Sequence, residues 1–133
     1  MQTEVMELSA YRLSKAEECL TDATEAFNQN RLANSINRSY YAILHATRAL
    51  LALEGYDSKR HSTIIGYFNQ NYVVTGKVEH VYHKMLASAF QVRNESDYND
   101  FYVASREEAR KQLDNATVFV EMMKGIIRAI IKN

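Results

Sequence analysis

At 133 residues the chain has the length of one ordinary domain and leaves no room for a second, so residues 1–133 are expected to form a single unit. Sixteen Lys and Arg balance sixteen Asp and Glu, which excludes a protein that coats nucleic acid by bulk positive charge and confines any such role to a local patch. With 47% hydrophobic residues, 24% charged residues, no proline and four glycines, the chain should fold, and as helices, because a small sheet protein needs more turn residues than these.

From Met6 to Phe27, the residues Met6, Leu13, Ala16, Leu20, Ala23 and Phe27 fall on one stripe at steps of three, four or seven, with charges on the other faces. That is an amphipathic helix. The charges recur every few residues from the N-terminus onward, so the segment lacks the apolar run of a secretory leader. Asn28, Gln29 and Asn30 break the pattern, and a second helix is expected from Leu32 to Leu53, ended by Gly55. Its middle is apolar nearly all round, which predicts a central helix and places both Tyr40 and Tyr41 in packed surroundings. Its apolar stretches are too short and too interrupted to span a bilayer.

Ser62 is the expected N-cap of a short third helix carrying Ile64, Ile65, Phe68 and Tyr72, with Gly76 closing the next turn. A fourth helix follows with Val78, Val81, Tyr82, Met85, Ala89 and Phe90 as its apolar face. The fifth opens on Ser105-Arg106-Glu107-Glu108, a capping box in which hydroxyl and carboxylate satisfy backbone amides reciprocally. Its stripe runs Ala109, Leu113, Ala116, Val120, Met123, Ile127 and Ile130. Four to five helices with short loops predict an all-α, antiparallel up-and-down bundle.

The four isolated glycines exclude phosphate loops of the Walker or dinucleotide type. A single cysteine, Cys19, excludes a disulfide within the chain and a cysteine-based zinc site, and it fits a reducing compartment, so cytoplasm is expected. It lies on the apolar side of its helix and reads as a buried, inert thiol. His80 and His83 are three apart, as a metal pair would be, but no carboxylate-rich partner helix accompanies them, and surface histidines are the simpler reading. No metal or cofactor is expected. His45 reads as a hydrogen-bonded core or interface histidine. Lys59, Arg60 and His61 make a short basic cluster that a phosphate could touch. The end of the fourth helix, Arg93-Asn94-Glu95-Ser96-Asp97-Tyr98, is on composition alone an exposed i,i+4 ion pair of Arg93 with Asp97.

A resemblance alters that last reading. Asn37-Arg38-Ser39-Tyr40-Tyr41-Ala42, with Ala46-Thr47-Arg48-Ala49-Leu50-Leu51 after it, is similar to the signature of the HEPN family, helical domains named for nucleotide binding in higher eukaryotes and prokaryotes. The likeness continues through the His61-Ser62 helix start, the turn Val74-Thr75-Gly76-Lys77, the Arg93 to Tyr98 stretch and the helix from Ala109 to Val120. It covers the chain from about Leu13 to Val120, and the Asp97-Tyr98 ending resembles the stand-alone bacterial and archaeal branch. The resemblance implies a homodimer whose protomers enclose a cleft at the end of the fourth helix. It also implies either a metal-independent ribonuclease or toxin, or a partner of a small nucleotidyltransferase in a toxin–antitoxin pair. Arg93 matches the family's arginine and Asn94 the polar residue after it. The family's histidine is missing, since Tyr98, Asn99 and Asp100 stand where it would fall.

Cleavage of RNA without metal needs a proton acceptor, a proton donor and a cation for the phosphorane charge. Arg93 serves the charge, whereas Tyr98 is not ionised near neutrality and Asp97, beside an arginine, is a weak base. The expected function is therefore a dimeric module that binds RNA or nucleotide, with Arg93, Asn94, Asp97 and Tyr98 as the site and Arg93, Lys59 and Arg60 as phosphate contacts. The alternatives are an endoribonuclease centred on Arg93 and a purely structural oligomerisation domain.

Overall fold

The computed structural model describes residues 1–133. Five α-helices follow in order, α1 (Thr3–Asn28), α2 (Leu32–Ala52), α3 (His61–Phe68), α4 (His80–Tyr98) and α5 (Arg106–Lys132), with no strand. The all-α bundle read from the sequence is the one observed, and no helix is long and apolar enough to cross a membrane.

The α1–α2 hairpin is set by Asn30, which takes a left-handed φ of 60°. Asparagine tolerates that conformation, and the reversal lets the Arg31 N–H reach back to the Ala26 carbonyl at 2.8 Å. The two helices then pack closely, because the residues between them are small: Ala16, Ala23, Ala42, Ala46 and Ala49 are fully buried. Two buried hydroxyls bridge the pair, with Ser9 Oγ donating to the Ala49 carbonyl at 2.7 Å and Ser35 Oγ to the Ala23 carbonyl at 2.9 Å. Gly55, at φ 73°, ends the α2 segment as expected. The Tyr56 N–H returns to the Leu51 carbonyl and the Gly55 N–H to the Ala52 carbonyl, a Schellman pair that a Cβ at Gly55 would strain.

The central position of α2 is borne out. It packs against α1, α3, α4 and α5 and buries Tyr40, Ile43, Leu44, Leu50 and Leu51 completely or nearly so. Ile64 and Phe68 from α3, Leu86 and Ala89 from α4, and Phe119, Val120, Met123 and Ile127 from α5 complete the main core. A smaller cluster of Ala23, Phe27, Ile36, Ala109 and Leu113 fills the end where α1 turns into α2. Tyr40 is fully buried and Tyr41 half-buried, so neither is an open stacking platform.

Three local expectations are corrected. The helix begins at His61, so Ser62 lies inside its first turn, and Arg60 occupies the cap position without a side-chain bond. Ser58 supplies a hydroxyl instead, accepting from the Arg60 N–H at 3.2 Å. Tyr72 is not on α3 proper but on the π-helical turn Asn69–Val73 that continues it, where it is buried. In α4, Val78 precedes the helix and Val81 is 46% exposed, whereas Leu86, outside the expected stripe, is fully buried. The helix is rotated so that its polar end faces α2, and this rotation creates the site described below.

Only half of the capping box forms. Ser105 Oγ accepts from the Glu108 N–H at 3.0 Å, while the Glu108 carboxylate accepts from Gln112 Nε2 at 3.2 Å. Ser105→Ala should therefore cost about 1 kcal/mol, the value of one N-cap, and Glu108→Ala appreciably less by the capping route. Urea melts of the two variants check the ranking, and a costlier Glu108→Ala would contradict it.

Candidate phosphate-binding site at the α2–α4 crossing

On α2, beyond Leu32 at its start, the residues left half-buried by the packing are Asn37, Arg38, Tyr41, His45 and Arg48. From Arg38 onward they recur at steps of three and four, a polar stripe along an otherwise buried helix. The last turns of α4 cross this stripe and place Arg93 on it. Its side chain is only 12% exposed. Arg93 Nε donates to Asp97 Oδ2 at 2.9 Å, Nη1 to Asn94 Oδ1 at 3.2 Å, and Nη2 to the Tyr41 and Tyr98 hydroxyls at 2.9 and 3.3 Å. The guanidinium carbon lies 5.4, 5.2 and 5.3 Å from the ring centres of Tyr40, Tyr41 and Tyr98, within cation–π range of all three.

Burial works against the charge, but Tyr41, Tyr98 and Asp97 outweigh it and hold the Arg93 pKa above its ordinary value. Four of the five N–H donors have partners, so one Nη1 hydrogen is free. The Tyr98 bond is long, and its ring is 71% exposed and able to swing away.

Asp97 ties the helices together, because its Oδ2 also accepts from Asn37 Nδ2 at 2.8 Å. Asn37 Oδ1 in turn accepts from Arg38 at 2.6 and 3.0 Å, and Arg38 lies 5.0 Å from the Tyr41 ring centre. Tyr41 is thus flanked by two guanidiniums, Arg93 paired with Asp97 and Arg38 without an ion-pair partner. Further along the stripe, Arg48 and Arg12 converge on Asp57 at 2.9 and 3.0 Å. Burial alone would raise the Asp57 pKa, but the bonds from Arg48 and the Ser58 N–H, with the two arginine charges, hold it below the usual range.

His61, at the start of α3, closes the other side. Its Nδ1 is 2.8 Å from the Tyr40 hydroxyl, and its ring centre is 5.7 and 5.9 Å from those of Tyr40 and Tyr41. Burial, then Arg93 and Arg48, push its pKa below the ordinary histidine value. Burial also pushes the Tyr40 phenol up, which keeps it a neutral donor.

The four residues expected at the site, Arg93, Asn94, Asp97 and Tyr98, are brought together, and the Arg93–Asp97 pair is half-sheltered instead of exposed. Lys59 and Arg60 are exposed, and their side chains make no ion pair or hydrogen bond with the cluster. Asn37, Arg38 and Tyr41 stand in the family-like signature of α2 and His61 in the basic cluster that a phosphate could touch, and only the fold brings them to Arg93. Cys19 is buried, and burial raises its thiol pKa, as the apolar stripe implied. The rings of His80 and His83 are 5.9 Å apart, with His80 exposed, and no group of three or more His, Cys, Asp or Glu is arranged to hold a metal.

His45 departs from expectation in taking no protein hydrogen bond. Burial, then Arg48, Arg38, Lys15 and Arg12, lower its pKa to about 4. The folded state therefore holds this imidazole neutral while the unfolded chain protonates it near 6.5, so stability should fall as pH drops from about 6.5 toward 4. Thermal melts at pH 7 and pH 5 should show a smaller loss for His45→Gln than for wild type. Equal losses would contradict this account.

The chain belongs to the HEPN domain family, whose model matches residues 9–126. It is 31% identical over 117 residues to a "UPF0332 protein" of Thermotoga maritima, covering 88% of this chain and 89% of the relative. It is 33% identical to a "UPF0332 protein" of Archaeoglobus fulgidus, covering 87% and 92%. A protein of Methanocaldococcus jannaschii that carries the name "Putative toxin" is 29% identical, covering 87% and 86%.

Proposed function

We propose that the protein is a homodimeric HEPN module of the cytoplasm, folded as one cooperative unit, that binds the phosphate groups of RNA or a nucleotide at the α2–α4 crossing. We further propose that it partners a nucleotidyltransferase as the toxin side of a toxin–antitoxin pair. The toxin role draws on the name that the Methanocaldococcus relatives carry. The observation that carries the phosphate reading is the guanidinium of Arg93, sheltered, fixed by Asp97, paired across Tyr41 with an Arg38 that lacks a carboxylate, and left with a free N–H. A phosphate that displaces the Tyr98 hydroxyl gains further donors. Asp97 Oδ1, which has no protein partner, is placed to accept from a ribose hydroxyl, a preference for RNA over DNA.

The exposed apolar side chains support the dimer reading at the end of the fourth helix, where the resemblance puts the cleft between protomers. The apolar surface of α2 is consumed within the chain, and the three most exposed of the large hydrophobics are Tyr98 of the site and two residues that follow it closely in the chain, with Phe101 94%, Val103 86% and Tyr98 71% exposed.

A second reading, a metal-independent endoribonuclease, is favoured by the histidine ring of His61 on the same tyrosine pair as Arg93. Incubation of labelled RNA with the protein and a metal chelator separates the two. The first reading expects RNA to be bound and left intact. Robust cleavage that disappears in Arg93→Ala would replace it with the ribonuclease.

A further inference from the structure

The helix-four segment that carries Arg93 has no histidine at 98, 99 or 100, yet a histidine from a different helix stands against the same pair of rings. Its placement is specific. Tyr40 is fully buried, and its hydroxyl has no partner other than His61 Nδ1. A buried phenol without an acceptor is costly, so the O–H donates to Nδ1. That bond puts the neutral ring's proton on Nε2, which takes no protein partner and is not sealed in the core. His61 therefore presents an N–H donor outward when neutral and a cation when protonated.

The charges that act on its proton are all positive. Arg93 on α4 and Arg48 on α2 both disfavour its proton, burial keeps the Tyr40 phenol neutral, and Lys59 and Arg60 precede it along the chain. The two nearby carboxylates are committed elsewhere, Asp57 to Arg12 and Arg48, and Asp97 to Arg93 and Asn37. An anion is what this arrangement lacks.

We propose that His61 is a ligand-contacting residue of the Arg93 site, and that it and Arg93 together hold the phosphodiester backbone of a single-stranded oligonucleotide, with His61 taking up a proton as the ligand binds. This rests on the phosphate reading of the site. The diester is the informative ligand because its own charge is constant between pH 5 and 8, whereas a monoester titrates in that range. By linkage, an anion that favours imidazolium must bind more tightly as pH falls, and must raise the histidine pKa. His45 lies near Tyr41 but titrates at about 4, below the window used.

The test follows the His61 ring by proton NMR in the wild-type protein while pH is varied, with and without a short uridine oligonucleotide. Its resonance is assigned by its loss in His61→Asn, which keeps an acceptor for Tyr40. The expected result is a pKa raised by about one unit on binding, with the oligonucleotide held at least about fivefold more tightly at pH 5.5 than at pH 8, short of the roughly tenfold limit reached only well below the free pKa. In His61→Asn the affinity should be nearly independent of pH. Binding that depends on Arg93 but leaves the His61 pKa unmoved and the pH profile unchanged in His61→Asn would overturn this inference and leave the phosphate reading standing. Absence of any oligonucleotide binding would overturn both.

Discussion

Arg93→Ala is expected to cost about 2–3 kcal/mol of stability, far more than the fraction of a kcal/mol that an exposed i,i+4 pair contributes. The larger figure follows from shelter. The guanidinium is 12% exposed and donates to Asp97, Asn94, Tyr41 and Tyr98, so its loss leaves the Asp97 carboxylate with Asn37 alone and removes a cation from three aromatic rings. Arg93→Lys should recover part of this through charge but not the fork that reaches Asp97 and Tyr41 together. Urea unfolding at pH 7 measures both. A cost under about 0.5 kcal/mol for Arg93→Ala would mean that the pair is a surface contact and that the cluster does not hold α4 on α2.

Phe119→Ala should be more damaging still, by about 3–5 kcal/mol. Phe119 is fully buried on α5, with Phe68 of α3 at 6.1 Å and Tyr82 of α4 at 6.2 Å between ring centres, the latter edge-on. Three helices meet on this ring, and none can close the gap without pulling away from α2. Because Phe119 makes no ring contact with Arg93's ring partners Tyr40, Tyr41 and Tyr98, the two losses should be additive within about 0.5 kcal/mol. A loss under about 1 kcal/mol for Phe119→Ala would place the junction of α3, α4 and α5 elsewhere.

Much of the fold was legible because its helices are amphipathic at a single period. The α5 stripe from Ala109 through Ile127 is buried as read, and so is the centre of α2. The reading failed where tertiary contact, not local pattern, decides. The local pattern puts the cap of α3 at Ser62, whereas the cap lies two residues earlier at Arg60 and the helix starts at His61, whose ring meets Tyr40 from 21 residues away. The rotation of α4 that buries Leu86 and exposes Val81 answers to α2, α3 and α5, which local periodicity does not contain.

The site divides in the same way. Arg93, Asn94, Asp97 and Tyr98 are within six residues, so their meeting at one helix end was readable from spacing. The Asn37–Asp97 bond spans 60 residues and the Arg93–Tyr41 bond 52, and these long-range contacts convert a surface ion pair into a sheltered cluster. The half-buried stripe Arg38, Tyr41, His45, Arg48 was a usable sign: polar residues at helical spacing on a buried helix mark the one face that another element or a ligand covers.

The central claim is that the Arg93 cluster binds phosphate of RNA. Its most direct test is fluorescence anisotropy of a labelled single-stranded oligoribonucleotide against wild type and Arg93→Ala, at several salt concentrations and at a temperature where the variant is folded. The account predicts that wild type binds, that the variant binds at least tenfold more weakly, and that the slope of log affinity against log salt falls by about one phosphate contact. Equal affinity and equal salt slope for the two proteins would contradict it.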